Sequence, residues 1–291
     1  MDFVAIDVET ANPHMASICQ IGLASFSAAG ELVDEWVSLV DPEDYFAYPN
    51  ICVHGIHPAD VAGAPTLPDL MEIISSRLRG SVAVCHTHFD RVALGQACRK
   101  YGLQPPDCTW LDSARVAQRA WDEFAHSGYG LQNVCARIGY DYQAHDALED
   151  AKAAGYVLIA AAHKTGVSVQ DWLAKAQAPI GLYPSGNLSR PSNPDGSLVC
   201  EVIVFTGALM ISRREAAELA ASVGCEVGDG VTKKTTILVV GDQDVARLAG
   251  QDKSSKHRKA EALISQGQAI RILCESDFVE VVSTESTSAG S

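Results

Sequence analysis

No lysine or arginine occurs in the first 76 residues. A secretory signal opens on a basic segment, so no such leader is expected here. No apolar run reaches the roughly 18 residues that a membrane helix needs, so no membrane span is expected either. Nine cysteines are present, yet no Cys-x-x-Cys pair occurs among them. An odd, scattered set speaks against a zinc site or a disulfide framework. It points to reduced thiols in a cytoplasmic protein. No internal repeat is visible.

Positive charge is scarce throughout, and the formal net charge is −14. Residues 1–177 carry 11 basic and 22 acidic side chains, and residues 198–291 carry 10 and 13. The first stretch therefore lacks the broad basic field of a duplex-binding protein. A few nucleotides of single strand can be held without one, by cations, backbone N–H groups and base stacking. Such binding should be weak and non-processive.

A length of 291 residues suggests two domains. Residues 178–197 are rich in Pro, Gly, Ser and Asn and read as a linker. The expected domains are 1–177 and 198–282, with a small, polar, disordered tail over 283–291.

What the chain does have is a set of carboxylates in telling places. Val4-Ala5-Ile6-Asp7-Val8-Glu9-Thr10 reads as a buried strand. Alternate strand residues share a face, so Asp7 and Glu9 point into one volume. Two carboxylates so placed favour a hard divalent cation between them. A second apolar strand, Ser81 to His86, leads through Thr87-His88-Phe89 to Asp90, and a helical pattern follows from Arg91 to Lys100. Asp146 and Glu149 have capping-box spacing, which starts a helix running to about Ala162. Asp150 then lies in its first full turn, with His145 in the loop before it. A histidine there is suited to proton transfer near neutral pH. Taken singly, Asp90 would pass as a helix cap, Asp150 as a solvated charge and His145 as a loop residue. Only their joint pattern says more.

Together these segments resemble the DEDDh family of 3′–5′ exonucleases, the family of the proofreading (epsilon) subunit of bacterial replicative polymerase. Asp7-Val8-Glu9-Thr10, His86-Thr87-His88-Phe89-Asp90 and His145 to Ala151 match the three family motifs in order. The second match is one residue short and has Thr87 where Asn is usual. Ser17 to Gly22 and Val53-His54-Gly55-Ile56 are also similar. The resemblance spans about residues 1–165. It implies a ribonuclease-H-like α/β fold with a mixed five-stranded sheet. It also implies two Mg²⁺ or Mn²⁺ ions held by Asp7, Glu9, Asp90 and Asp150, with His145 as the catalytic base. Thr10 and Phe89 would position the terminal nucleotide. One ion would activate water and the other would stabilise the leaving 3′-oxygen. The expected function is release of nucleoside monophosphates from DNA 3′ ends, single-stranded by preference, in proofreading or repair.

Two rival registers exist. Tyr142-x-x-x-Asp146 fits the tyrosine variant of the superfamily but leaves Asp150 unused. His86-x-His88-x-Asp90 is similar to metallo-β-lactamase-like hydrolases, but Arg91 stands where those need another His.

In the second stretch, Leu198 to Phe205 reads as a strand ending in Thr206-Gly207. A helix from Ser212 to Val223, a strand from Thr236 to Val240, a helix from Lys256 to Gln266 and a short strand at Ile270-Arg271-Ile272 follow. Alternating units of this kind make a small parallel sheet. Phe205-Thr206-Gly207, Gly224 to Val227, Val231 to Thr236, Leu238 to Gly241 and Ser255 to Ala260 resemble the BRCT domain, especially that of NAD-dependent DNA ligases. The tryptophan common late in that family is absent. The resemblance implies a phosphate site at Thr206, Gly207, Lys256 and Arg214, for a 5′-phosphorylated DNA end or a phosphoprotein. The competing functions are RNA end trimming, and a non-catalytic adaptor that retains only the phosphate site.

Overall fold

The computed structural model describes residues 3–121, 128–177, 192–242 and 253–288. The chain divides into two compact units, 1–46 with 54–178 and 47–53 with 179–291. Each unit is built on its own sheet. No helix of the described residues is long and apolar enough to cross a membrane. All nine cysteines are free thiols.

The first unit is a five-stranded mixed sheet in the order β3-β2-β1-β4-β5. Its strands are β1 (Phe3–Thr10), β2 (Ile18–Phe26), β3 (Leu32–Leu39), β4 (Val82–Cys85) and β5 (Thr109–Asp112). β1 is central, antiparallel to β2 and parallel to β4. Phe3 to Ile6 are buried, and accessibility returns at Asp7, Glu9 and Thr10. This is the near-continuous apolar run expected of a strand covered on both sides, opening at one end. β4 runs the same way as β1, so the two strands present their carboxyl ends at one edge, where α/β sheets gather functional groups.

Helices α2 (Leu67–Leu78), α3 (Phe89–Lys100), α4 (Ser113–Ala120), α5 (Leu131–Ile138), α6 (Ala147–Thr165) and α7 (Val169–Lys175) complete the described part of this unit, whereas α1 (Tyr48–His54), all but its last residue, is grouped with the second unit. α6 crosses β1 and β2. Its small residues allow close approach. A Cβ on Gly155 would meet the Phe26 ring at 2.3 Å, and one on Gly22 would meet the Ala147–Leu148 backbone at 2.4 Å. The helix runs one turn past Ala162, ending where Gly166 adopts φ 70°. Asp146 caps it through Leu148 N–H and Glu149 N–H. The reciprocal half of the expected box is diverted, because the Glu149 carboxylate accepts from Lys152 Nζ at 3.0 Å.

The second unit is a four-stranded parallel sheet in the order β7-β6-β8-β9. It holds β6 (Val202–Thr206), β7 (Glu226–Gly228), β8 (Ile237–Val240), β9 (Arg271–Cys274), α8 (Arg213–Ser222), α9 (Ser255–Ile264) and α10 (Glu275–Ser288). Phe278 is 1% exposed and packs edge-on against Phe205 at 5.2 Å.

Three expectations are corrected in this unit. The strand expected from Leu198 begins at Val202, because Glu201 N–H closes a turn onto Leu198 O and Cys200 has a left-handed φ of 75°. The expected linker runs to 197, but Asn193 already bonds to Ala221 O and Ser222 O, and Gly196 packs on Val223. Residues 178–191 lie outside those described. The tail expected to be disordered from Ser283 continues α10 to Ser288. The Ser283 and Thr284 hydroxyls bond back to Val279 O and Glu280 O, so these polar residues are accommodated within helix.

Candidate functional site

Asp7 and Glu9 lie on one side of β1, opposite Gly22 and Gln20 of β2. The β1–β2 register shifts after Glu9, and Thr10 pairs with Ile18. An irregularity of this kind re-aims side chains at the end of a strand. The Thr10 carbonyl accepts a bond from His54 Nε2 at 3.2 Å, and His54 Nδ1 accepts from Ile56 N–H at 3.0 Å. His54 thus pins the end of β1 in its neutral form. Burial pushes its pKa from 6.5 down to about 4.

β4 stops pairing with β1 at Ala5, leaving the next part of β1 open on that side. Asp90 takes up one of those amides: Val8 N–H donates to Asp90 Oδ1 at 3.2 Å. Asp90 reaches this point because the chain turns sharply at Thr87, whose φ is 69°. The Asp112 carboxylate holds that turn, accepting Thr87 N–H at 3.0 Å while it caps α4 through Ala114 N–H and Arg115 N–H. Beneath, burial and then the charges of Asp90, Asp112 and Asp7 raise the pKa of the Cys85 thiol.

Across from this edge, His145 and Asp150 enter with α6. Ligand atoms of Glu9, His145 and Asp150 all lie within 4.8 Å of one another. His145 has φ 66°, and its N–H donates to Asp150 Oδ2 at 2.6 Å. Such strained backbone persists only where the surroundings over-determine it. Burial pushes the Asp150 carboxyl up to about 6, although the His145 N–H favours its charged form. A cation would relieve that cost. The donors are carboxylate oxygens and one imidazole, a set that suits a divalent metal. Asp7, Glu9, Asp90, His145 and Asp150 would be the groups to hold or face it.

Other residues fall differently. Phe89 is 5% exposed and stacked on His88, so it offers no open surface. Both ring nitrogens of His86 are engaged, one with Ser113 Oγ at 2.8 Å and one with Tyr129 O at 2.7 Å. It is a tie between loops, against the β-lactamase-like register. Asp146 is committed to capping α6, which disfavours the tyrosine register. The Tyr142 phenol is raised by burial and by the charge of Asp150. Gln20, His54 and Asp112 were not singled out from the sequence. Gln20 and His54 lie within runs already noted there, but their roles depend on strand pairing and loop packing.

In the second unit, Thr206 ends β6, with Oγ1 2.7 Å from Ser254 Oγ. Lys256 Nζ donates to Phe205 O at 3.1 Å. Arg213 donates to the same oxygen at 3.1 Å and to Gly207 O at 2.9 Å. Burial and then Arg213 lower the pKa of Lys256. Arg214 is not part of this group. It pairs with Glu218 at 3.0 Å, and its side chain is 79% exposed. The cation beside Lys256 is Arg213, one residue earlier than expected.

About 80 residues are 41% identical to a DNA ligase of Caldicellulosiruptor bescii, covering 27% of this chain. The chain spans only about a tenth of that ligase. A full-length 3′-exonuclease structure aligns over 57% of this chain and 61% of its own, at 19% identity and a TM-score of 0.50. Exonuclease X, in complex with 5′-overhanging duplex DNA, aligns over 60% of this chain and 99% of its own, at 20% identity and a TM-score of 0.48. The family described as Exonuclease matches residues 4–158, more than half of the sequence and all five residues of the carboxylate–histidine group. The chain belongs to that exonuclease family.

Proposed function

We propose that the protein is a divalent-cation-dependent 3′–5′ exonuclease that removes nucleoside monophosphates from single-stranded DNA ends. The observation that carries this reading is the convergence of Glu9, His145 and Asp150 within 4.8 Å, beside Asp90 on the Val8 amide. Asp7, Glu9, Asp90 and Asp150 would hold two Mg²⁺ or Mn²⁺ ions. When bound, these ions polarise the scissile phosphate and offset the charge that builds on the leaving 3′-oxygen. His145 takes the proton of the attacking water through its imidazole, held in place by the Asp150-bound turn. Thr10, at the strand end pinned by His54, lines the approach of the terminal nucleotide.

The second unit, read as a BRCT-like domain, would bring the enzyme to a phosphorylated DNA end. Arg213, Lys256 and the Thr206 hydroxyl supply two cations and a donor for a phosphate. The likeness to DNA ligases favours a DNA end over a phosphoprotein.

Digestion of 5′-labelled single-stranded DNA and RNA, with Mg²⁺, Mn²⁺ or chelator, tests the first unit. Stepwise shortening of DNA from its 3′ end, abolished by chelator, is the expected result. Faster RNA cleavage would move the reading to RNA end trimming. No cleavage of either with metal present would leave only the adaptor.

A further inference from the structure

The turn His145-Asp146-Ala147 has its shape fixed locally, by Asp146 on the Leu148 and Glu149 amides and by Asp150 on the His145 amide. Those bonds lie within the turn and its own helix. They say nothing about where the turn sits relative to β1. Gln20 supplies that placement. Its Oε1 accepts Ala147 N–H at 3.0 Å, and its Nε2 donates toward Asp146 Oδ2 at 3.4 Å. Gln20 is also the cross-strand partner of Glu9. One amide therefore links the strand position opposite Glu9 to the two residues that follow His145.

We infer that Gln20 is a positioning residue that sets the spacing between Glu9 and His145, an inference that rests on the proposed roles of those two. The amide group is required, because the two bonds have opposite polarity. A carboxylate at position 20 would keep the acceptor for Ala147 but would set a like charge against Asp146. A thioether would lose both bonds at nearly the same volume. Gly22, two residues on, leaves the room that lets the turn approach the strand at all.

The test uses the full chain and the oligonucleotide it cuts best. Gln20→Met and Gln20→Glu should each lower kcat by about 10- to 100-fold, the usual cost of losing an orienting partner, with KM within about threefold. Adding Asp146→Asn to Gln20→Glu restores a matched donor and acceptor, and asparagine still caps a helix. That pair should recover at least about tenfold of the lost kcat. In metal-free protein, amide exchange at Ala147 should speed up by about tenfold or more in Gln20→Met, while Leu148 and Glu149 keep their protection. A kcat within about twofold of wild type in both single variants, or no recovery in the pair, would overturn the inference. If Gln20→Met does not fold, the Glu/Asn pair alone decides. His145→Ala is run alongside. If it keeps activity, the base reading and this inference both fail. If it loses activity while the Gln20 variants do not, this inference alone fails.

Discussion

Gly22 lies against the peptide joining Ala147 to Leu148, close enough that a methyl group at position 22 would overlap that backbone at 2.4 Å. Backbone cannot swing aside as a side chain can. Gly22→Ala should therefore lift the start of α6 and cost about 1–3 kcal/mol of stability, the range for overpacking a filled site. Chemical denaturation measures the stability loss, and cleavage assays on the folded fraction should show a lower kcat. A variant as stable and as active as wild type would mean that α6 can shift freely.

Metal dependence is the second expectation. Chelator should abolish cleavage, and Mg²⁺ or Mn²⁺ should restore it. Asp7→Ala should lower the rate on the order of 10³-fold, in line with several kcal/mol of charge stabilisation. Undiminished cleavage in chelator contradicts the cation reading.

His145 and Tyr142 offer a third comparison. Losing a general base costs about 10²–10⁴-fold, so His145→Ala should show that loss. Tyr142→Phe keeps the buried ring and removes only a hydroxyl near Asp150, so it should stay within about tenfold of wild type. The opposite ranking would restore the tyrosine register.

Arg213 and Arg214 should separate in binding. Charge-assisted contacts contribute about 1.5–3 kcal/mol. Arg213→Ala should then weaken binding of a 5′-phosphorylated, 3′-blocked DNA by about 10- to 100-fold, and Arg214→Ala should leave it nearly unchanged. Titrations with and without the 5′-phosphate read both effects. Equal losses in the two variants would remove the assignment of Arg213.

His54 sets a pH dependence of folding. Its pKa in the fold is about 4, below the ordinary 6.5. The unfolded chain therefore takes up the proton first as pH falls. Stability from this group is complete above pH 6.5 and is lost as pH drops toward 4. Melting temperature should fall less steeply over that window in His54→Gln than in wild type. Parallel curves would show that His54 is not held neutral.

The strands and helices that carry the acidic residues could be read from local pattern. β1 and β4 are short apolar runs, and α6 opens on an aspartate cap and ends on a glycine. Gln20 could not be assigned a role in this way, because its partners are 126 and 127 residues away. Arg213 and Arg214 are adjacent, and only their rotation about α8, about 100° per residue, decides which one meets Lys256. The C-terminal serines and threonines misled for a related reason. Composition marks this stretch as polar, while the hydroxyl bonds of Ser283 and Thr284 to the preceding turn depend on the helix that Phe278 anchors.

Thr87 and His145 share a left-handed backbone, and each lies one residue before the N-cap of one of the helices that bring Asp90 and Asp150 to the site. In each, a carboxylate accepts the N–H, Asp112 for Thr87 and Asp150 for His145. The two entry turns are thus spring-loaded against their own φ preference. On warming, they should relax before the sheet does. Cleavage would then fade reversibly at temperatures where the core of β1, β2 and α6 is still intact, so the inactivation temperature should fall below the melting temperature of the first unit.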